Sequence, residues 1–159
     1  MNISDIIYCI SNAVEKLSNT GKMTEDLKKE LQDLLVKEFL DRLRPCEATY
    51  ECKFDGDYRD RCDVYVKTDE YQIILEIDAA RADQVAKKML SRYYYANKTA
   101  GKRATVYACL LYPGTEKMNL NECIKYMTMG QELLLAINPS NRFIGGLIKD
   151  NKVEWKTIG

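Results

Sequence analysis

The sequence predicts an α/β fold in which helices flank a mixed central sheet with an antiparallel meander at its heart. Three observations predict it. The apolar residues follow a helical period up to residue 43, then a two-residue period from 48 to 78. Helical and strand-like segments alternate after that. The length of 159 residues suits one domain over 1–159, with N-terminal helices at 1–43, a core at 48–112, and a helix and strands at 117–159.

Taken in order, Ile3, Ile6, Ile7, Ile10, Ala13, Val14 and Leu17 recur at three- and four-residue spacing, a helix that stops before Thr20-Gly21. Thr24, followed by Glu25 and Asp26, is an N-cap with acid in the first turn. Leu27, Leu31, Leu34 and Leu35 then carry a second helix to about Leu43, ahead of Pro45. Strands are expected at 48–54, 61–67 and 72–78, with turns at Asp55-Gly56-Asp57 and over 68–71. A helix follows from Ala80 to about Asn97, then a strand at 104–112 ended by Pro113-Gly114, then a helix at 119–137. The tail reads as two strands around Asp150-Asn151. The order is α α β β β α β α β β.

Composition narrows the chemistry. The chain has no histidine, which excludes Ser-His-Asp and Cys-His catalysis and the usual histidine zinc sites. No apolar run approaches the roughly 18 residues of a membrane span, and no export signal opens the chain, so a cytoplasmic protein is expected. None of the six cysteines forms a CxxC, and most lie in apolar runs where a reduced thiol acts as a small core residue; one or two disulfides are the alternative. Charge sums to zero but is unevenly placed. Residues 48–80 hold nine acids against four bases, and residues 81–103 hold seven bases against Asp83 alone. A solvated face explains such runs, and so does a site that holds a cation with a phosphate beside it.

Hairpin arithmetic sharpens the second reading. With the turn centred between Asp69 and Glu70, opposed residues sum to 139, so Asp63 faces Glu76 and Arg61 faces Asp78. Alternation then places Asp63, Tyr65, Ile74, Glu76 and Asp78 on one face, and Cys62, Val64, Val66, Ile73, Leu75 and Ile77 on the other. Opposed carboxylates repel at a Cβ separation of about 5 Å. A hard divalent cation with oxygen ligands resolves that repulsion. Alternatively Arg61 neutralises Asp78 while Asp63 and Glu76 sit at a wet strand end. Glu38 falls within the Leu27–Leu31–Leu34 stripe, where it either reaches the same cation or marks an exposed helix end. On the helix after the hairpin, Ala82, Val85, Ala86, Met89 and Tyr93 form the buried stripe, while Arg81, Gln84, Lys88, Arg92 and Tyr95 line the other side. Arg81, Lys88 and Arg92 would spread three cations over about 16 Å to track a phosphate backbone, extended by Lys98, Lys102 and Arg103. A solvated face accounts for the same residues.

The segment RCDVYVKTDEYQIILEIDAARADQ resembles the core of the PD-(D/E)XK, or restriction-endonuclease-like, nuclease superfamily. The α-β-β-β-α-β order over residues 25–112 fits that core. The resemblance implies a nuclease hydrolysing phosphodiester bonds of DNA with Mg²⁺ or Mn²⁺, in which Asp63 and Glu76 match the family's acidic ligands. It also implies that Glu38 matches a further Glu on the preceding helix, and that Gln84 and Lys88 match the polar residues of the following one. Where the family carries Lys, this chain carries Asp78. Asp78 is then an extra metal ligand, or the ammonium comes from Lys88 or Lys67, or catalysis is lost and only binding of nucleic acid or a protein partner remains. A structural interaction module is the third reading. Cutting two strands takes two sites, so a homodimer or a subunit of a larger complex is expected. Phe143, Ile144, Leu147, Ile148 and Trp155 either form that interface or close the sheet.

Overall fold

In the computed structural model, which describes residues 2–18, 22–54, 60–113 and 119–159, the described chain forms four helices and six strands. They are α1 (Ile3–Glu15), α2 (Glu25–Arg42), β1 (Glu47–Lys53), β2 (Arg61–Lys67), β3 (Tyr71–Ala79), α3 (Ala82–Ala100), β4 (Ala104–Tyr112), α4 (Leu120–Ile137), β5 (Arg142–Lys149) and β6 (Lys152–Ile158). Local chemistry sets the boundaries. The Asn2, Thr24 and Asn119 side chains accept the otherwise unpaired N–H groups of Ser4, Leu27 and Glu122 at the starts of α1, α2 and α4. Asp150 and Asn151, both with φ near +50°, make the two-residue turn between β5 and β6. The expected stop at Thr20-Gly21, the turn at Asp55-Gly56-Asp57 and Gly114 lie outside the described residues.

The strands form one mixed sheet in sequential order, β1 to β6. The pairs β1–β2, β2–β3 and β5–β6 are antiparallel, and β3–β4 and β4–β5 are parallel. The expected meander is therefore present, joined by β4 through a crossover helix. Two right-handed crossovers advancing in one direction put their helices on one face, and α3 and α4 do pack together on one side. The helices α1 and α2 cover the other. Gly130 permits the close approach of α3 to α4: a Cβ there would meet Met89 Sδ at 2.5 Å.

Each face buries its own apolar layer. Ile6, Ile10, Leu31, Leu35 and Phe39 pack on Val64, Val66, Ile73, Leu75 and Ile77, while Val85, Met89 and Tyr93 pack on Ile74, Tyr107 and Phe143. The C-terminal apolar residues close the sheet rather than present an interface. Phe143, Ile144, Leu147 and Ile148 are buried within the two layers, and Trp155 packs against the α1/α2 side. All six cysteines are free thiols. Among the described residues no helix is long and apolar enough to cross a membrane.

Candidate metal centre at the split between β2 and β3

The predicted register holds where the two strands are paired. Val64↔Leu75, Tyr65↔Ile74, Val66↔Ile73 and Lys67↔Gln72 are the Cα partners. Beyond Val64 the β2–β3 ladder stops, although β2 stays paired to β1 as far as Arg61 and β3 to β4 as far as Ala79. The sheet thus splits between β2 and β3 at one end. Buried backbone groups at such a split need other partners, and side chains provide them. Asp63 Oδ2 accepts the Ile77 N–H at 2.6 Å, and Arg92 Nη2 donates to the Arg61 carbonyl at 2.6 Å.

The face assignment made by alternation fails at this point. Cys62 packs with Ile74 and Tyr65 on the α3/α4 side, not beside Val64, which belongs to the α1/α2 side. Asp63 reaches the α1/α2 side as well, where Lys28 Nζ lies 2.8 Å and Gln32 Nε2 3.1 Å from its Oδ1. The reason is a local distortion of β2. The β1–β2 ladder is interrupted at the Glu51/Asp63 pair without a change of register, and Glu51 lies in the left-handed region at φ 51°, so the backbone there departs from the regular alternation on which the face assignment depends. Gln32 ties the break together, since its Nε2 also donates to Glu51 Oε1 at 3.0 Å.

From the other side α3 supplies the partners of the β3 carboxylates. Arg92 Nε donates to Glu76 Oε1, and Lys88 Nζ bridges Glu76 Oε2, at 3.3 Å, and Asp78 Oδ1. Asp78 is therefore met by Lys88, not by Arg61. One oxygen from each of Asp63, Glu76 and Asp78 lies within 4.8 Å of the others. Oxygens 2.0–2.6 Å from a shared hard cation fall within that span, and three carboxylates are the donor set such a cation prefers. Glu76 is 1% exposed. Burial, then the charge of Asp63, pushes its carboxyl up to about 7, against the pull of Arg92 and Lys88. Burial works against the Lys28 and Lys88 ammonium groups, yet the carboxylates beside each hold its pKa above the usual lysine value. Among the described residues no buried side-chain nitrogen or oxygen lacks a hydrogen-bond partner.

The other residues singled out in the sequence separate into distinct places. Glu38 stays away from the cluster. Its Oε2 accepts from Asn12 at 2.7 Å and its Oε1 pairs with Lys16 at 2.5 Å, so the stripe on which it lies faces α1. Arg92 is 3% exposed and Tyr95 is buried with its ring stacked on Phe54 at 5.2 Å, so neither is presented to a phosphate backbone or a base. From the side of α3 beside the Val85–Met89–Tyr93 stripe, Lys88 and Arg92 turn into the split and are used inside it. Arg81 is exposed and pairs with Asp83, and Gln84 donates to Asp83 as well. Lys98 lies over the Tyr94 ring, Lys102 is exposed and Arg103 donates to the Thr68 carbonyl. The register pairs Tyr71 with Ala104, which puts Arg103 and Lys102 at the opposite end of β3 from Glu76, roughly 17 Å along the strand. Lys67 is at that far end too, opposite Gln72. Lys28 and Gln32 were missed by the sequence reading. Their signal was an i, i+4 polar pair flanking the Leu27–Leu31 stripe, with nothing to indicate what it faced.

No family model matches the chain, and no curated protein does. A solved structure to which the fold is similar is that of Pyrococcus furiosus SfsA in complex with Ca²⁺, with 12% sequence identity, 84% of this chain covered and a TM-score of 0.44. The match covers 63% of that protein's length.

Proposed function

We propose that this chain is a divalent-metal-dependent nuclease domain that hydrolyses phosphodiester bonds of DNA. The observation that carries the reading is the convergence of Asp63, Glu76 and Asp78 within 4.8 Å at the split, with the Lys88 ammonium against two of them. Asp63, Glu76 and Asp78 would hold Mg²⁺ or Mn²⁺, and the chemistry such an ion supplies is activation of a water and neutralisation of charge on the scissile phosphate. The protein's own groups prepare the place. Lys28, Gln32 and the Ile77 N–H orient the Asp63 carboxylate, and Arg92 fixes Glu76 and favours its ionised form. Lys88, 28% exposed, is the cation free to turn from Glu76 and Asp78 toward a phosphate oxygen, in place of the motif lysine that Asp78 displaces. Arg81 and Gln84, at the start of the same helix, would meet the neighbouring phosphates.

A second reading has its own support: a nuclease-like domain that binds nucleic acid or a protein partner without cutting. Lys28, Lys88 and Arg92 already balance the three carboxylates charge for charge. Titration calorimetry with Mn²⁺, followed by incubation of linear and plasmid DNA with Mg²⁺, Mn²⁺ or chelator, separates the two. The nuclease reading expects binding and metal-dependent cutting. Mn²⁺ binding without cutting supports the second reading, and no Mn²⁺ heat at millimolar concentration removes the first.

A further inference from the structure

Two thiols lie beside the split, and the reading above gives them no role. Cys52 on β1 and Cys62 on β2 are direct cross-strand partners, next to the interrupted Glu51/Asp63 position. Opposed residues of antiparallel strands have Cα atoms about 4.5–5.5 Å apart, which lies within the separation that a disulfide spans. Cys62 belongs to the apolar layer on the α3/α4 side and Cys52 packs against that same layer, so the two side chains share one face of the ladder. Cys62 is fully buried, whereas Cys52 is partly exposed and its thiol reaches the Lys53 carbonyl at 3.7 Å. One sulfur is open to a small reagent, and the second waits behind it.

The remaining cysteines are placed differently. The Cys9 and Cys46 thiols donate to the carbonyls of Glu38 and Phe39 on α2, and Cys109 and Cys123 are buried on the α3/α4 side. In the sheet, Cys109 is opposite Glu76 and Gly145, not another cysteine.

We propose that Cys52 and Cys62 are an oxidisable dithiol that closes to an intramolecular disulfide when a peroxide reaches the β1–β2 edge. The Cys52 sulfur attacks one peroxide oxygen and the O–O bond breaks. With hydrogen peroxide this leaves a sulfenic acid on Cys52 and releases one water. The Cys62 sulfur then displaces the hydroxyl of that sulfenic acid. The S–O bond breaks, the S–S bond forms, and a second water carries away the remaining thiol proton. The two thiols lose two electrons and the peroxide gains them. The product would clamp β1 to β2 immediately beside Asp63, the residue whose position depends on the break in that ladder. The inference concerns the thiols alone and stands whether or not the chain cuts DNA.

Peptide mapping of the full chain tests it. The native protein is treated with hydrogen peroxide, the remaining thiols are alkylated, and the product is digested with trypsin without reductant. Trypsin cuts after Lys53, Arg59 and Arg61, so the bridge would join the peptide ending at Lys53, which carries Cys46 as well as Cys52, to the peptide Cys62–Lys67, and fragmentation of the linked species assigns the bridged sulfur. The expected result is this linked species, split by dithiothreitol, with two of the six thiols lost to alkylation. Cys52→Ser should prevent the loss and Cys46→Ser should not. Recovery of Cys62 as the alkylated thiol while Cys52 runs on to sulfinic acid would overturn the proposal. So would a bridge to any other cysteine, and both results can be read on the wild-type chain even if a variant fails to fold.

Discussion

Among the described residues, two places bury carboxylates against lysine, and they have been completed in different ways. At the contact of α1 with α2, a single acid, Glu38, receives Lys16 and Asn12, one on each oxygen. At the split between β2 and β3, three acids crowd within 4.8 Å and three cations from two helices hold them there. The pKa directions follow. Burial alone would raise Glu38, but its hydrogen bonds to Lys16 and Asn12 outweigh burial and hold it below the usual carboxylate range. Glu76 has even stronger cationic partners, yet burial and the charge of Asp63 still raise it to about 7. A solitary buried acid is satisfied by its partners, whereas clustered acids keep a repulsion that their partners offset without removing. That residual repulsion is what a divalent cation would relieve.

The sharpest way to break the comparison is to remove a cation from each place. Arg92→Met leaves Glu76 in a buried site without its principal partner, and a loss of about 3–5 kcal/mol is expected in urea unfolding. Adding Glu76→Gln should recover much of that loss. Lys16→Met, at the half-exposed partner of Glu38, should cost far less. Equal losses at the two places would mean that the split is no more frustrated than the helix contact.

Metal affinity distinguishes the places next. In Mn²⁺ calorimetry, Asp63→Ala should lower affinity by more than roughly 100-fold, since loss of an outer-shell partner alone costs 10–100-fold. Gln32→Leu, which only orients Asp63, should lie within that smaller range. Glu38→Ala should leave Mn²⁺ binding unchanged while lowering stability. If Glu38→Ala abolished the heat, the two places would have to be one site.

The pH dependence should have opposite sign at the two acids. Because the folded protein raises Glu76 above its ordinary value, this group favours the fold at low pH, and the contribution is lost as pH rises from about 4.5 through about 7. Glu38 is depressed, so its contribution is present above the ordinary carboxylate range and lost as pH falls through it. In metal-free thermal melts, Glu76→Gln should therefore gain on the wild type at pH 8 and converge with it near pH 5. Glu38→Gln should lose stability at pH 8 and converge with the wild type in acid. Parallel curves for the two variants would contradict the contrast.

The smallest effect concerns the turn just beyond the end of α3. Lys102→Ala should reduce the logarithmic salt slope of DNA binding by about one if its side chain meets a phosphate, and leave Mn²⁺ binding untouched. An unchanged slope would make that turn a solvated surface.

The strand register, the element order and the three acids of the split were readable from the sequence because they depend on local rules. A short turn at Asp69-Glu70 and a two-residue period determine that β2 and β3 pair with sums of 139, and the Thr24 cap with acid in the turn after it marks where α2 starts. The direction of the Asp63 side chain was not readable, because alternation assumes an unbroken ladder and the ladder is interrupted at Glu51/Asp63, where Gln32 of α2 binds both side chains. Nor was the inward turn of Lys88 and Arg92. A cation on a helix looks the same in sequence whether it faces water or a carboxylate on a strand twelve or sixteen residues away. The same ambiguity put Glu38 at the metal cluster, when its partners were on α1. By itself the sequence determined which residues are acidic, basic and apolar and the period at which they recur, and these suffice for elements and register because both are set by neighbours along the chain. The tertiary structure alone decided which charges meet, since ion pairing depends on distance in space and on the depth of burial, and neither follows from spacing in sequence.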